Sequence, residues 1–182
     1  MGRGFNVKVE TKDRGAKVER ALKDLERCYI LVGIPQGTTE RRASDNPSPL
    51  RALRRNLGEQ QISNAELLYI HTNGSPIKHI PARPVVEPAI QAPDNRESIT
   101  EEMKQAAGAA LDGRKQAMRN SLKRAALDAQ NRVKAWFTDA RNHWAPNAPS
   151  TIRRKGSDRP MIDTGQLRNA IVGLMVIDGK RQ

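Results

Sequence analysis

Two short stretches hold residue types able to do chemistry, and the first is Asp163-Thr164-Gly165. An Asp-Thr-Gly triplet from each of two subunits would make an acid–base dyad. Two carboxylates held close share one proton, because like charges at short range do not both ionise. Pro160-Met161-Ile162 supplies part of the apolar lead-in that such a dyad needs. Gln166, Leu167 and Arg168, however, stand where a small residue should follow the glycine. The same residues also read as a helix start. Asp163 or Thr164 would accept from the first free N–H groups, and Gln166 lies three residues after Asp163, as in a capping box. Leu167, Ile171 and Leu174 then fall on one helical face. The helix start accounts for more of the residues and is the expected structure; a protease dyad is the alternative.

The second stretch is Arg153-Arg154-Lys155-Gly156, read as a cationic loop whose glycine frees the backbone beside the charges. Trp144 opens the approach to it, and Pro146 and Pro149 stop the preceding helix. Point charges of this kind hold phosphate without sequence preference, meet an acidic protein face, or are simply solvated.

The whole chain is basic: 32 Lys and Arg against 20 Asp and Glu give a net charge of +12 over 182 residues. This balance favours nucleic acid, an anionic surface or an acidic protein, without choosing among them. Aromatic residues are only 3% of the chain, so no ladder of rings is available to stack single-stranded bases. The lone Cys28 excludes an intramolecular disulfide and suits a reducing compartment. No secretory signal or membrane-length apolar run appears, which leads us to expect a soluble protein made in the cytosol. His71, His79 and His143 are scattered, with no metal-ligand spacing, and no phosphate loop, dinucleotide fingerprint or nucleophile motif is present. No enzyme activity, metal or cofactor is expected.

The scaffold reads as α+β: a small β-sheet packed against several helices, with a long two-part helical segment in the C-terminal half. One domain over 1–182 is expected. Phe5, Val7 and Val9 alternate with polar residues as in a strand. Val18, Leu22 and Leu25 make the apolar stripe of a helix over Ala16 to Arg27, and Cys28 to Val32 is an apolar run suited to a strand covered on both faces. Gln36 to Ser63 is a long loop or assembly arm, with a short helix at Ser48 to Leu57 bearing Arg51, Arg54 and Arg55 as further interface or DNA-channel candidates. Asn64 is expected to cap a short helix that Asn73-Gly74 closes. The prolines of Ile80 to Pro88 predict extended backbone, in which Arg83 pins the segment to its own domain. Ile99 to His143 is helical, with Leu111, Met118, Leu122, Ala126, Ala129, Val133 and Phe137 on one line and breaks expected at Gly108 and Asp112-Gly113. Val176 and Ile177 form a final strand, followed by a basic tail over 178–182.

Several blocks, in order, carry a family resemblance. They are Val32-Gly-Ile-Pro35, Asn64-Ala-Glu-Leu-Leu-Tyr-Ile-His71, Asn73-Gly-Ser-Pro76, Ile80-Pro-Ala-Arg-Pro84 with Glu87-Pro88, Trp144 to Gly156, and Pro160 to Ile171 with its Asp163, Thr164 and Gly165. The chain resembles the tail-completion or neck proteins of long-tailed bacteriophages, often called virion morphogenesis proteins. Thr72 stands where the pattern has an acid and Val85 where it has an aromatic; neither position is catalytic. The resemblance implies a structural virion protein, made in the bacterial cytoplasm, that forms a homo-oligomeric ring of preferably six copies in the neck. Its partners would be a portal-side connector or head-completion protein on one side and a tail terminator or tail tube protein on the other. Packaged DNA would pass through the channel non-specifically, and no membrane is involved. The alternatives are a tail terminator capping the tube and a non-specific DNA-binding protein.

Overall fold

The computed structural model describes residues 15–35 and 62–181. The expected Phe5 to Val9 strand, most of the Gln36 to Ser63 loop, the Ser48 to Leu57 helix with Arg51, Arg54 and Arg55, and Gln182 lie outside the described residues. Within them the chain is α+β, with seven α-helices and a three-stranded antiparallel sheet.

A helical hairpin forms the centre. We number the helices in chain order: α1 (Gly15–Glu26), α2 (Asn64–Asn73), α3 (Val86–Gln91), α4 (Pro93–Leu111), α5 (Lys115–Trp136), α6 (Pro149–Lys155) and α7 (Gln166–Asn169). Helix α4 ends at Asp112-Gly113, as its sequence suggests. Gly113 takes φ 76°, its N–H donates to the Ala110 carbonyl, and the Arg114 N–H donates to the Ala109 carbonyl. This pair of bonds satisfies carbonyls that a helix end otherwise leaves open. Gly108 does not interrupt α4; one helical glycine costs about 1 kcal/mol, too little to end a helix already buried against its neighbour. Ala106, Ala109, Ala110, Ala125, Ala126 and Ala129 are all buried, so small side chains let the elements approach closely. Of the expected apolar line, Met118, Leu122, Ala126, Ala129, Val133 and Phe137 are buried, while Leu111, in the last turn of α4, is exposed.

Against α5 lies the sheet, β1 (Cys28–Gly33), β2 (Val172–Ile177) and β3 (Lys180–Arg181), in the order β1-β2-β3. The register of β1 and β2 pairs Ile30 with Met175 and Val32 with Gly173 on the helix side, and Leu31 with Leu174 on the other. Strand β1 is therefore covered on one face only: Tyr29 and Leu31 are 46% and 45% exposed. A continuous apolar run does not distinguish one covered face from two, which is why the sequence overstated its burial. The stripe of α1 shifts in the same way, since Ala21 is its buried residue and Val18 and Leu22 stay exposed.

Three further expectations are corrected. The final helix is one turn: Ile171 lies in a buried coil position just before β2, and Leu174 pairs with Leu31 of β1, which satisfies its backbone as strand. Residues 178–181 are not a tail: Asp178 (φ 51°) and Gly179 (φ 73°) form a two-residue turn that folds Lys180 and Arg181 back on β2. Pro88 sits inside α3 rather than in extended chain, in the first turn, where a missing N–H costs nothing.

Helix α2 starts one residue earlier than expected. Ser63, not Asn64, is its cap: the Ser63 hydroxyl accepts from the Glu66 N–H, and the Glu66 carboxylate accepts from the Ser63 N–H at 2.8 Å. The Ser63 backbone bond, then its hydroxyl, holds the Glu66 carboxyl below the usual carboxylate range. The reciprocal half of the cap is thus present at neutral pH and lost as pH falls through that lowered value. Ser63→Ala should cost about 1 kcal/mol, read as a lower urea midpoint with an unchanged slope.

Candidate functional site

Two segments some sixty residues apart in sequence are locked together here. The extended chain at 81–85 leads into α3, and the Arg83 N–H donates to the His71 carbonyl at 2.6 Å. Its guanidinium, only 6% exposed as a residue, donates through Nε and Nη2 to the Ala145 carbonyl and through Nη2 to the Pro146 carbonyl. Proline-rich backbone makes no ladder or helix, so its carbonyls need donors from elsewhere, and a planar fork supplies several at once. Burial pulls the Arg83 guanidinium pKa down from its usual value.

Trp144 closes the joint from the other side. Its indole N–H donates to the Pro84 carbonyl at 3.1 Å, and its ring meets Phe137 edge-on, with centroids 5.9 Å apart. Asn142 fixes the entry by donating to the Trp136 carbonyl and accepting from the Trp144 N–H. Buried Asn147 donates to the Asp158 carbonyl, tying down the chain that follows α6.

The cations ride on this platform. Arg153, Arg154 and Lys155 are the last turn of α6, not a loop: Pro149 fits the first helical turn, and Gly156 at φ 69° ends the helix by donating to the Ile152 carbonyl. Cations at a helix C-terminus face the negative end of its dipole, which favours this placement. The three residues are not equivalent. Lys155 is half-buried and donates from Nζ to the Arg159 carbonyl at 2.7 Å. Burial, with Arg83 and Arg154 nearby, pushes its pKa down against the pull of Asp163. Arg153 and Arg154 are exposed and form no ion pair among the described residues. Two charges are therefore free for a partner, and the third is part of the support. Arg51, Arg54 and Arg55 are not placed with them, lying outside the described residues.

Asp163 and Thr164 do not cap a helix. Gly165, at φ 78°, is the residue before α7 and no side chain caps that end. The chain reaches α7 through a turn with Met161 at φ 57°, leaving Asp163 and Thr164 exposed. There the Asp163 carboxylate acts electrostatically on Lys155, as a neighbouring counter-charge. The Cys28 thiol donates to the Asp24 carbonyl, and burial, then Asp178 and Asp24, raises its pKa. That is the opposite of the shift that activates a thiol. Among the described residues no three His, Cys, Asp or Glu side chains cluster as metal ligands, and no helix is long and apolar enough to cross a membrane.

No protein-family model, curated protein or solved structure matches this chain.

Two polar networks were missed in the sequence. Arg141 lies between Asp94 and Asp139 with its guanidinium 5.5 Å from the Trp136 ring centre, and its hydrogen bonds hold both carboxyls below their usual range. Buried Asn95 donates to the Ala89 carbonyl and accepts from Arg132, joining α3, α4 and α5. Only the Asp139-Arg141 spacing was a local signal; the other partners are distant in sequence.

Proposed function

We propose that this chain is a ring subunit in the neck of a long-tailed bacteriophage, where it joins head to tail and surrounds the DNA channel. The observation that carries the proposal is the Arg83–Ala145–Pro146 joint. The two sequence blocks at the heart of the resemblance, Ile80 to Pro84 and Trp144 to Gly156, are one physical unit, and that unit carries two exposed arginines with no ion pair among the described residues. A ring subunit has such needs: a rigid element to seat against neighbours, and cations able to face an acidic ring or the phosphates of passing DNA. Contact with DNA in this role is free of sequence preference, since arginines on phosphate read charge rather than bases.

The test is Arg153→Ser with Arg154→Ser. The doubly substituted chain should melt like the parent, while joining of heads to tails, scored as infectious particles, falls at least tenfold. Normal particle yield overturns a role for this helix end. A non-specific DNA-binding protein is the rival reading. In that case the free chain binds DNA without forming rings, and the double substitution lowers the slope of log K against log salt by about 2, near 0.9 per lost phosphate contact. A tail terminator differs in position, and labelled subunits located at the tube end rather than the neck would select it.

A further inference from the structure

Among the described residues two surfaces carry exposed apolar side chains, and they complement each other. The first is on the outer face of the sheet, where Tyr29, Leu31, Val172, Leu174 and Val176 face away from the helices by register: Tyr29 and Leu31 are exposed, Val172 and Leu174 half-buried, and Val176 is buried. A shallow groove of about 180 Å³ runs over this face, and Arg181 stands on its border. Arg181 is exposed and makes no ion pair among the described residues. The second surface is on α2. Tyr69 is 71% exposed, Glu66 lies one turn before it on the same side, and Ile62, 47% exposed, immediately precedes the Ser63 cap. An aromatic and an isoleucine therefore flank one carboxylate, while the sheet offers an apolar floor with one cation at its edge.

We propose that this face of α2 docks on the outer sheet face of a second copy, Tyr69 and Ile62 on the apolar floor and Glu66 against Arg181. Tyr69 and Leu31 are both exposed in one chain, so a contact between their two patches is one between copies. Because the patches differ, the contact is heterologous: each copy gives one face and receives the other, and repetition closes into a ring or runs on as a filament. Charge complementarity sets the register and rejects the reversed pairing, while the apolar area supplies most of the attraction. The proposal rests on the ring reading only for closure; the contact itself follows from the two surfaces.

Charge reversal tests it. Glu66→Arg and Arg181→Glu are made singly and together in the full chain, and mass is followed by sedimentation over a concentration series. The wild type should self-associate, and each single reversal should weaken association about tenfold or more, since juxtaposed like charges oppose docking. The double reversal should restore it, and so should an equimolar mixture of the two single variants. Glu66→Arg also removes half of the Ser63 cap, but the double variant carries the same loss, so recovery there cannot come from stability. Association in the wild type with no recovery in the double variant overturns this contact and leaves the ring reading standing. A wild type that stays monomeric at every concentration also overturns the contact; rings appearing only on added phage heads or tails would then keep the ring reading, and their absence would end it.

Discussion

Gly173→Ala is expected to destabilise the fold by about 3 kcal/mol, at the upper end for adding one methyl group to a packed interior. Gly173 has no positive φ, so its backbone would suit any residue. Space is the constraint. A Cβ at this position would lie 2.0 Å from the Ala126 carbonyl oxygen and 2.7 Å from its carbon, both backbone atoms of α5. No rotamer relieves a backbone clash, so the strand and helix must part. Parting them also strains the bond from the Gly173 N–H to the Gln130 side-chain oxygen at 3.0 Å, and loosens fully buried Ile171 and Met175 on either side. For a chain of this size the loss corresponds to a drop in Tm of about 10 °C. Gly108→Ala is the control, since a Cβ there meets nothing within 4 Å and a helical alanine is favoured. A Gly173→Ala protein melting with the parent would refute the close helix–strand approach.

Arg83→Met is the second large effect. The substitution keeps much of the side-chain volume but leaves the Ala145 and Pro146 carbonyls without their donor. Removing one partner of a buried hydrogen bond costs about 1–3 kcal/mol for each group stranded, so a loss near 3 kcal/mol is expected. Arg83→Lys should fall between parent and Arg83→Met, because one ammonium cannot reproduce the planar fork. The functional consequence goes beyond stability. With the joint broken, Trp144 loses its anchor at Pro84 and α6 loses its seat, so binding through Arg153 and Arg154 should fail although both residues remain. Urea melts give the first quantity, and hydrogen exchange at the Trp144 indole reports opening of the joint. An unchanged midpoint with a protected indole would show that Arg83 is dispensable.

The Asp112-Gly113 stop is a local property of the backbone, and so are the helical spacing from Met118 to Phe137 and the confinement of Arg83 between two prolines; all were legible in the residues themselves. The cap of α2 was misplaced by one residue because Ser63 and Asn64 are both good caps, and the Glu66 partner three residues after Ser63 was the signal that should have decided it. The need for glycine at 173 was not legible. Nothing near it in sequence shows that the Ala126 carbonyl will lie against it.

The chain by itself determined its α+β class, its basic charge, the two-part helical segment and the extended proline-rich backbone around Arg83. Each depends on spacing or residue type within a few positions, where backbone geometry and side-chain preference act directly. Tertiary structure alone decided the rest. It made Ile171 and Leu174 part of a buried coil and strand rather than a helix, because pairing with β1 outweighs the weak propensity of a short helix. It turned Asp163 from a cap into a neighbour of Lys155, and it left Tyr29 and Leu31 exposed on the outer face of β1. These outcomes depend on which distant surface arrives to bury a group, and contacts between residues far apart in the chain leave no local pattern.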